Sequence, residues 1–407
     1  MSNRTLFPTL LFLAAIVAAH FAEKPLPART IPLQTTGYSN ESAQTPPPYP
    51  LLADAPIRNV ILFIGDGMGL NQISASRLHL YGPHGRLHIE RMPVSGALTT
   101  HCEDSLITDS GAAASALATG FKVPYNAIST NKGGEILYTI LEAARDKGMA
   151  TGLVTTTEIV DATPAAFASH VTHRRGHNVI AQQLVESRID VLLGGGKNHF
   201  LPRGTGSSER TDDIDLLERI KQLGYTYVEN SEELTQTDSE KIFGLFPTEN
   251  ISSVTPDPTI QRMTKKALEI LARKKSGFFL MVETERTDEE SHANRFEPLA
   301  QAMRDFDEAV KLGIEFAMNH EQTLVIVTAD HETGGLQIDK GGPITGKIQL
   351  AWTTRGHTGQ TVPLFAFGPH AMKFTGLKDN TELPRTIAQL LGVRDFPRVI
   401  SKQAAGN

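Results

Sequence analysis

The sequence predicts an α/β fold: a mostly parallel central sheet with helices on both faces and small insertions. Three observations carry this. Short, continuous apolar runs recur along the chain, the pattern of strands buried on both faces. Stretches of helical periodicity lie between them. The two kinds alternate, which implies parallel strands joined by right-handed crossovers.

The elements follow in chain order. Residues 1–22 hold the apolar run Leu6–Phe21, with Arg4 before it and Val17-Ala18-Ala19 near its end. They read as a secretory signal or, failing cleavage, an N-terminal membrane anchor, although the run is short for a span. Residues 23–56 hold eight of the 23 prolines and read as an extended linker. A single catalytic α/β domain is expected over 57–400, then a tail at 401–407. Its predicted strands are Val60–Ile64, Thr151–Thr155, Asp190–Leu193, Phe278–Val282, Thr323–Thr328 and Val362–Phe367. Its predicted helices are Ile136–Lys147, Asn178–Ser187, Gln261–Lys275, Pro298–Met318 and Leu383–Leu391. Residues 200–260 and 332–356, polar or glycine-rich, read as insertions.

Bulk composition narrows the function. With 407 residues, 40% of them hydrophobic, the chain can bury a sizeable core without staples. The net charge of −6 argues against a nucleic-acid backbone as partner. An anionic substrate would need local positive charge, which metal ions can supply. The single cysteine, Cys102, excludes both an intramolecular disulfide and a thiolate zinc site.

In open α/β sheets, ligands gather beyond the C-terminal ends of the strands. Three runs deliver chemistry there. Val60–Ile64 leads into Gly65-Asp66-Gly67-Met68-Gly69, Phe278–Val282 into Glu283, Asp288 and His292, and Thr323–Thr328 into Asp330 and His331. Asp288 and His292 are four apart and share a helix face. Asp330 and His331 are adjacent, so they converge only where the strand ends and the backbone turns. His357 follows in a glycine-flanked segment. Two histidines and a carboxylate suit a catalytic zinc with an open position. Ser110 opens the small-residue run Ser110–Ala116, which places it at a helix N-terminus. There it is either a plain helix cap or a nucleophile facing a phosphate. No Gly-x-Ser-x-Gly elbow is present, so a metal would have to activate it. Gly194-Gly195-Gly196-Lys197 is no phosphate loop of the Walker kind, because Asn198 stands where Ser or Thr is required. Asn40 and Asn250 match glycosylation acceptors.

Assembled in order, these residues resemble the alkaline phosphatases over roughly residues 57–395. The matching pieces are Gly65–Gly69, Asp109-Ser110, Asp161–Ala166, His170–Arg174, Phe278–Glu283, Asp288 with His292, Thr328–His331 and His357–Gly359. The resemblance implies a phosphomonoesterase with two zinc ions and one magnesium ion, acting on small phosphate monoesters and releasing inorganic phosphate. It implies that Ser110 is transiently phosphorylated and that Arg174 clasps the phosphate. One zinc would be held by Asp288, His292 and His357, the other by Asp66, Asp330 and His331. Magnesium would be held by Asp66, Thr163 and Glu283, with Asp161 nearby through water. It also implies a homodimer, although the short Asp330–His357 interval leaves less room for the decoration of the dimer. Glu289 beside Asp288 departs from the family pattern and is expected to weaken phosphate binding. The leader implies export, to the periplasm or beyond, with or without a membrane tether. A sulfatase would need Cys/Ser-x-Pro-x-Arg, which Ser110–Ala114 does not supply. A non-catalytic phosphate binder would not need so many metal ligands.

Overall fold

The computed structural model describes residues 28–34, 45–253, 255–342 and 345–400. The expected signal or anchor (1–22) and the tail (401–407) lie outside them. Among the described residues no helix is long and apolar enough to cross a membrane.

A ten-stranded sheet forms the centre. Its order is Gly376–Asp379, Val94–Thr99, Val362–Phe367, Thr323–Thr328, Asn59–Gly65, Phe278–Thr284, Ala150–Glu158, Val191–Gly195, Ile242–Leu245, Thr226–Val228. Only Val362–Phe367 runs against the rest. The four strands from Thr323–Thr328 to Ala150–Glu158 are parallel neighbours buried along almost their whole length. Buried on both faces, they can carry apolar side chains on either, which explains their unbroken runs. The register aligns Thr328 with Ile64, and Ile64 with Glu283. The C-terminal ends of these three strands therefore finish at one level, and Ala150–Glu158 runs on past it.

The six expected strands and five expected helices are present, Thr323–Thr328 and Val362–Phe367 with the expected ends and the others with changed ones. The helix foreseen from Ile136 starts at Ile140, because Thr139 and Glu142 form a reciprocal capping box that fixes its N-terminus. Ile136–Leu137 instead pairs with Val399–Ile400. The stretch 200–260 is more than an insertion: Ile242–Leu245 and Thr226–Val228 extend the central sheet. Within 332–356, Gln337–Gly342 and Lys347–Ala351 form a small antiparallel sheet. Its third strand is Arg29–Pro32, so part of the proline-rich segment is docked on the domain.

Candidate active site

Every candidate metal ligand lies at or just past the C-terminal end of the four central strands, or in a loop folded over them. Asp66 follows the Asn59–Gly65 strand, and Glu283 ends Phe278–Thr284. Asp330 and His331 follow Thr323–Thr328, and Asp161 and Thr163 follow Ala150–Glu158. That fourth strand adds a contribution the apolar runs did not reveal. Thr155, next in register to Glu283, donates to its Oε2 at 2.6 Å.

Among the described residues, three groups of side chains converge tightly enough to hold an ion. They are Asp288 with His331 and His357, Asp66 with Asp330 and His331, and Asp66 with Glu283 and Glu285. His292 joins the first group: its Nε2 lies 3.0 Å from Asp288 Oδ2 and 3.2 Å from His357 Nε2. Asp288 and His292 sit on one face of the Arg286–His292 helix, as their spacing predicts. His357 arrives from a two-residue strand paired with Glu332–Thr333. His331 bridges two groups, whereas the resemblance placed it in one. Its ring stacks on His357 with centroids 3.5 Å apart.

The outer contacts set the histidine tautomers. His357 Nδ1 bonds to the Thr108 carbonyl at 2.9 Å, and His292 Nδ1 to the Arg355 carbonyl. Each Nδ1 therefore carries a proton, and each Nε2 points inward at Asp288, where a cation could displace any proton it holds. His331 Nδ1 meets the Thr333 hydroxyl at 3.2 Å, and Thr333 also bonds Asp288. Gly67 is required here, because a Cβ on it would lie 2.7 Å from Asp288 Oδ1, and its φ is +66°.

The electrostatics call for cations. Burial and the neighbouring Asp330 push Asp66 far above the ordinary carboxylate range. Burial raises Glu283 to about 8 even though Thr155 bonds to it. Asp330 is raised to about 7 by burial and Asp288. Burial also pushes Asp288 up, but the effects led by its hydrogen bond with His292 outweigh this and hold it at about 2. Burial keeps His331 neutral. Both Asp66 oxygens, Asp330 Oδ2, Glu283 Oε1 and Thr163 Oγ1 are buried and accept no hydrogen bond. Leaving carboxylate oxygens so costs several kcal/mol unless a cation faces them (~2–7 for one polar group). Oxygen and imidazole donors with no thiolate suit zinc and magnesium.

Ser110 begins the helix Ser110–Thr119, all of whose residues are buried. Its Oγ lies 3.3 Å from His331 Nε2. The same nitrogen is 3.1 Å from Asp330 Oδ2 and 3.5 Å from Asp66 Oδ1. Asp109 caps this helix, accepting from the Gly111 and Ala112 amides, a cap worth about 1 kcal/mol. It also receives Arg174 Nη1 at 3.3 Å, while Arg174 Nη2 donates to Asp161 Oδ1 at 2.7 Å. Burial opposes the guanidinium charge, but Asp161 and Asp109 hold it protonated. Arg174 is thus braced against the cap of the Ser110–Thr119 helix and is no free surface charge. A cavity of about 300 Å³ opens beside it, lined by Asn126, Glu158, Asp161, Arg174, Arg175 and His177.

Two of these residues escaped the sequence reading. Asp109 was visible only as a neighbour of Ser110. Glu285 sits two residues past Glu283 and could have been flagged as a third acid at the same strand end. Glu289 is exposed on the helix beside Asp288.

Comparison with known proteins agrees with this geometry. The family model for Alkaline phosphatase matches residues 57–349 and 343–393. Alkaline phosphatase 3 of Bacillus subtilis is 33% identical, covering 82% of this chain and 89% of that one. The Escherichia coli alkaline phosphatase is 32% identical over 84% of this chain and 88% of its own. The alkaline phosphatase from the Antarctic bacterium TAB5 superposes with a TM-score of 0.75 at 30% identity, covering 83% of this chain and 99% of that one. A variant of that protein has been solved with magnesium bound.

Proposed function

The chain belongs to the alkaline phosphatase family and is a metal-dependent phosphoric monoester hydrolase, and we propose that it works through a phosphoserine at Ser110 with two zinc ions and one magnesium ion. The observation that carries this is the position of Ser110 Oγ: at a helix N-terminus, 3.3 Å from His331 Nε2, where that nitrogen meets Asp66 and Asp330.

Asp288, His292 and His357 would hold one zinc, and Asp66, Asp330 and His331 the other. Asp66, Glu283 and Thr163 would hold magnesium. When bound, such ions neutralise phosphoryl charge and lower the pKa of a coordinated hydroxyl or water. The chain's own residues do the positioning. Ser110 Oγ attacks phosphorus as the ester oxygen departs and takes up a proton. Water then attacks the phosphoserine, releasing inorganic phosphate and restoring the hydroxyl. Arg174, held by Asp109 and Asp161, presents its fork to two non-bridging oxygens. The dipole of the Ser110–Thr119 helix, whose first amides Asp109 caps, adds partial positive charge at the same point. Phosphoryl transfer needs little beyond such positioning and charge stabilisation.

Acid quench during turnover of a labelled monoester should trap phosphate on Ser110. Ser110→Ala should lose nearly all activity while keeping its metals and fold. Label on another residue, or full activity in the variant, refutes the assignment.

Export, suggested by the apolar Leu6–Phe21 run, and pairing with a second copy, suggested by the family, belong to the same reading. Cell fractionation and sedimentation of the purified chain test them separately.

A further inference from the structure

We propose that Glu285 is a direct ligand of the third metal ion, so that Asp66, Glu283 and Glu285 surround one hard divalent cation with three carboxylates. This rests on the three-ion reading above, in which Glu285 has no part.

The ligand oxygens of these three residues all lie within 4.8 Å of one another. Asp66 and Glu283 are almost fully buried, at 1% and 0% exposure. Both Asp66 oxygens and Glu283 Oε1 accept no hydrogen bond. Glu285 is fixed in place, because its backbone N–H donates to Thr156 Oγ1 at 3.0 Å just past the strand end. An oxygen of its carboxylate lies within 4.8 Å of one of Asp66. Acids this close repel unless a proton is shared or a cation lies between them, and the unpartnered oxygens of Asp66 and Glu283 favour the cation. The donor set is oxygen only, which selects a hard cation over zinc.

One oxygen of Asp161, a residue expected near this ion through water, is committed elsewhere. This Oδ1 accepts Arg174 Nη2 at 2.7 Å and the Ala162 amide at 2.5 Å. Arg174 is a competing partner for Glu285, but its Nη atoms already donate to Asp109 and Asp161. The geometry therefore divides the labour: Asp161 orients Arg174, and Glu285 completes the metal shell. Magnesium commonly keeps several waters and takes one or two carboxylates. A third carboxylate would replace a water and raise the affinity.

The test uses the full chain stripped with chelator, reloaded with zinc, and titrated with magnesium chloride by calorimetry. Elemental analysis after desalting gives the ions retained. Wild type should keep one magnesium beside two zinc ions. Glu285→Gln, nearly isosteric, should keep its zinc and bind magnesium on the order of tenfold more weakly or worse. Glu285→Asp, which retains the charge, should recover part of the loss. Equal magnesium affinity in Glu285→Gln and wild type overturns the inference, as does a variant in which only inhibition by phosphate changes. Wild type that takes up no third ion overturns the three-ion reading itself, a separate and distinguishable failure.

Discussion

At the scale of single residues, Arg174 is where monoester chemistry can be tested against its alternatives. Two carboxylates hold its guanidinium, and a planar fork can read two phosphoryl oxygens where a lysine point charge cannot. Losing a transition-state donor of this kind typically costs about 10²–10³ in rate. Arg174→Ala should therefore be impaired but active, since Ser110 and the metal ligands remain. Arg174→Lys should fall nearer to Ala than to wild type. Steady-state kinetics should show weaker inhibition by phosphate in both. A diester, with one fewer charged oxygen, should suffer less. Equal losses on both ester classes with unchanged inhibition would remove Arg174 from the site.

At the scale of elements, two acids hold pieces of backbone in place. Glu332 is buried and accepts from Gln72 Nε2 at 2.8 Å, from the Gly335 and Leu336 amides at 3.3 Å each, and from Thr358 Oγ1. It ties the loop after His331 to the short strand that begins with His357. Glu332→Ala should weaken zinc binding by about 10–100-fold, the usual size of an outer-shell loss. Competition with a chromogenic chelator measures this, and unchanged affinity would show that the loop holds itself. Glu142 closes the capping box of the Ile140–Asp146 helix and faces His170 Nε2 at 3.3 Å. Burial pushes its carboxyl up, but the bonds from His170 and the Thr139 amide outweigh this and hold it below its ordinary 4.5. A depressed carboxylate contributes stability above its unfolded pKa, and loses it as pH falls through the folded one. Glu142→Gln should thus cost about 1 kcal/mol at pH 7. The gap from wild type should close as the pH drops below about 4. Denaturant unfolding at the two pH values checks the sign.

At the scale of the whole molecule, the ion sites couple function to stability. The four central strands end in acids with no donor facing several of their oxygens. Ions that bind only the folded chain stabilise it by mass action, about 2.7 kcal/mol at one hundred times Kd. Chelation should therefore abolish activity and lower Tm, and zinc with magnesium should restore both. A verified metal-free sample with unchanged Tm and turnover would contradict this. The sheet itself should persist without metal, because its core is a continuous apolar layer across the same strands.

Much of this was legible in the chain. The unbroken runs at Val60–Ile64, Phe278–Val282 and Thr323–Thr328 reported strands buried on both faces, because such strands leave no room for a polar alternation. The acids and histidines that follow them marked the rim where a site would form. Other elements left no such trace. The Leu70–Tyr81 helix buries Gln72, Ser76 and His79 among its contacts, so it shows no clean apolar period. Val94–Thr99 and its edge neighbour Gly376–Asp379 are partly exposed and lack a continuous run. Local sequence by itself determined which strands are central and which residue types stand at their ends. Only the tertiary structure decided that His331 faces two groups, that Asp109 and Asp161 brace Arg174, and that Glu285 joins Asp66 and Glu283. Those contacts join side chains on different strands and loops, many of them more than a hundred residues apart. Their distances depend on register and strand order, which periodicity along the chain does not encode.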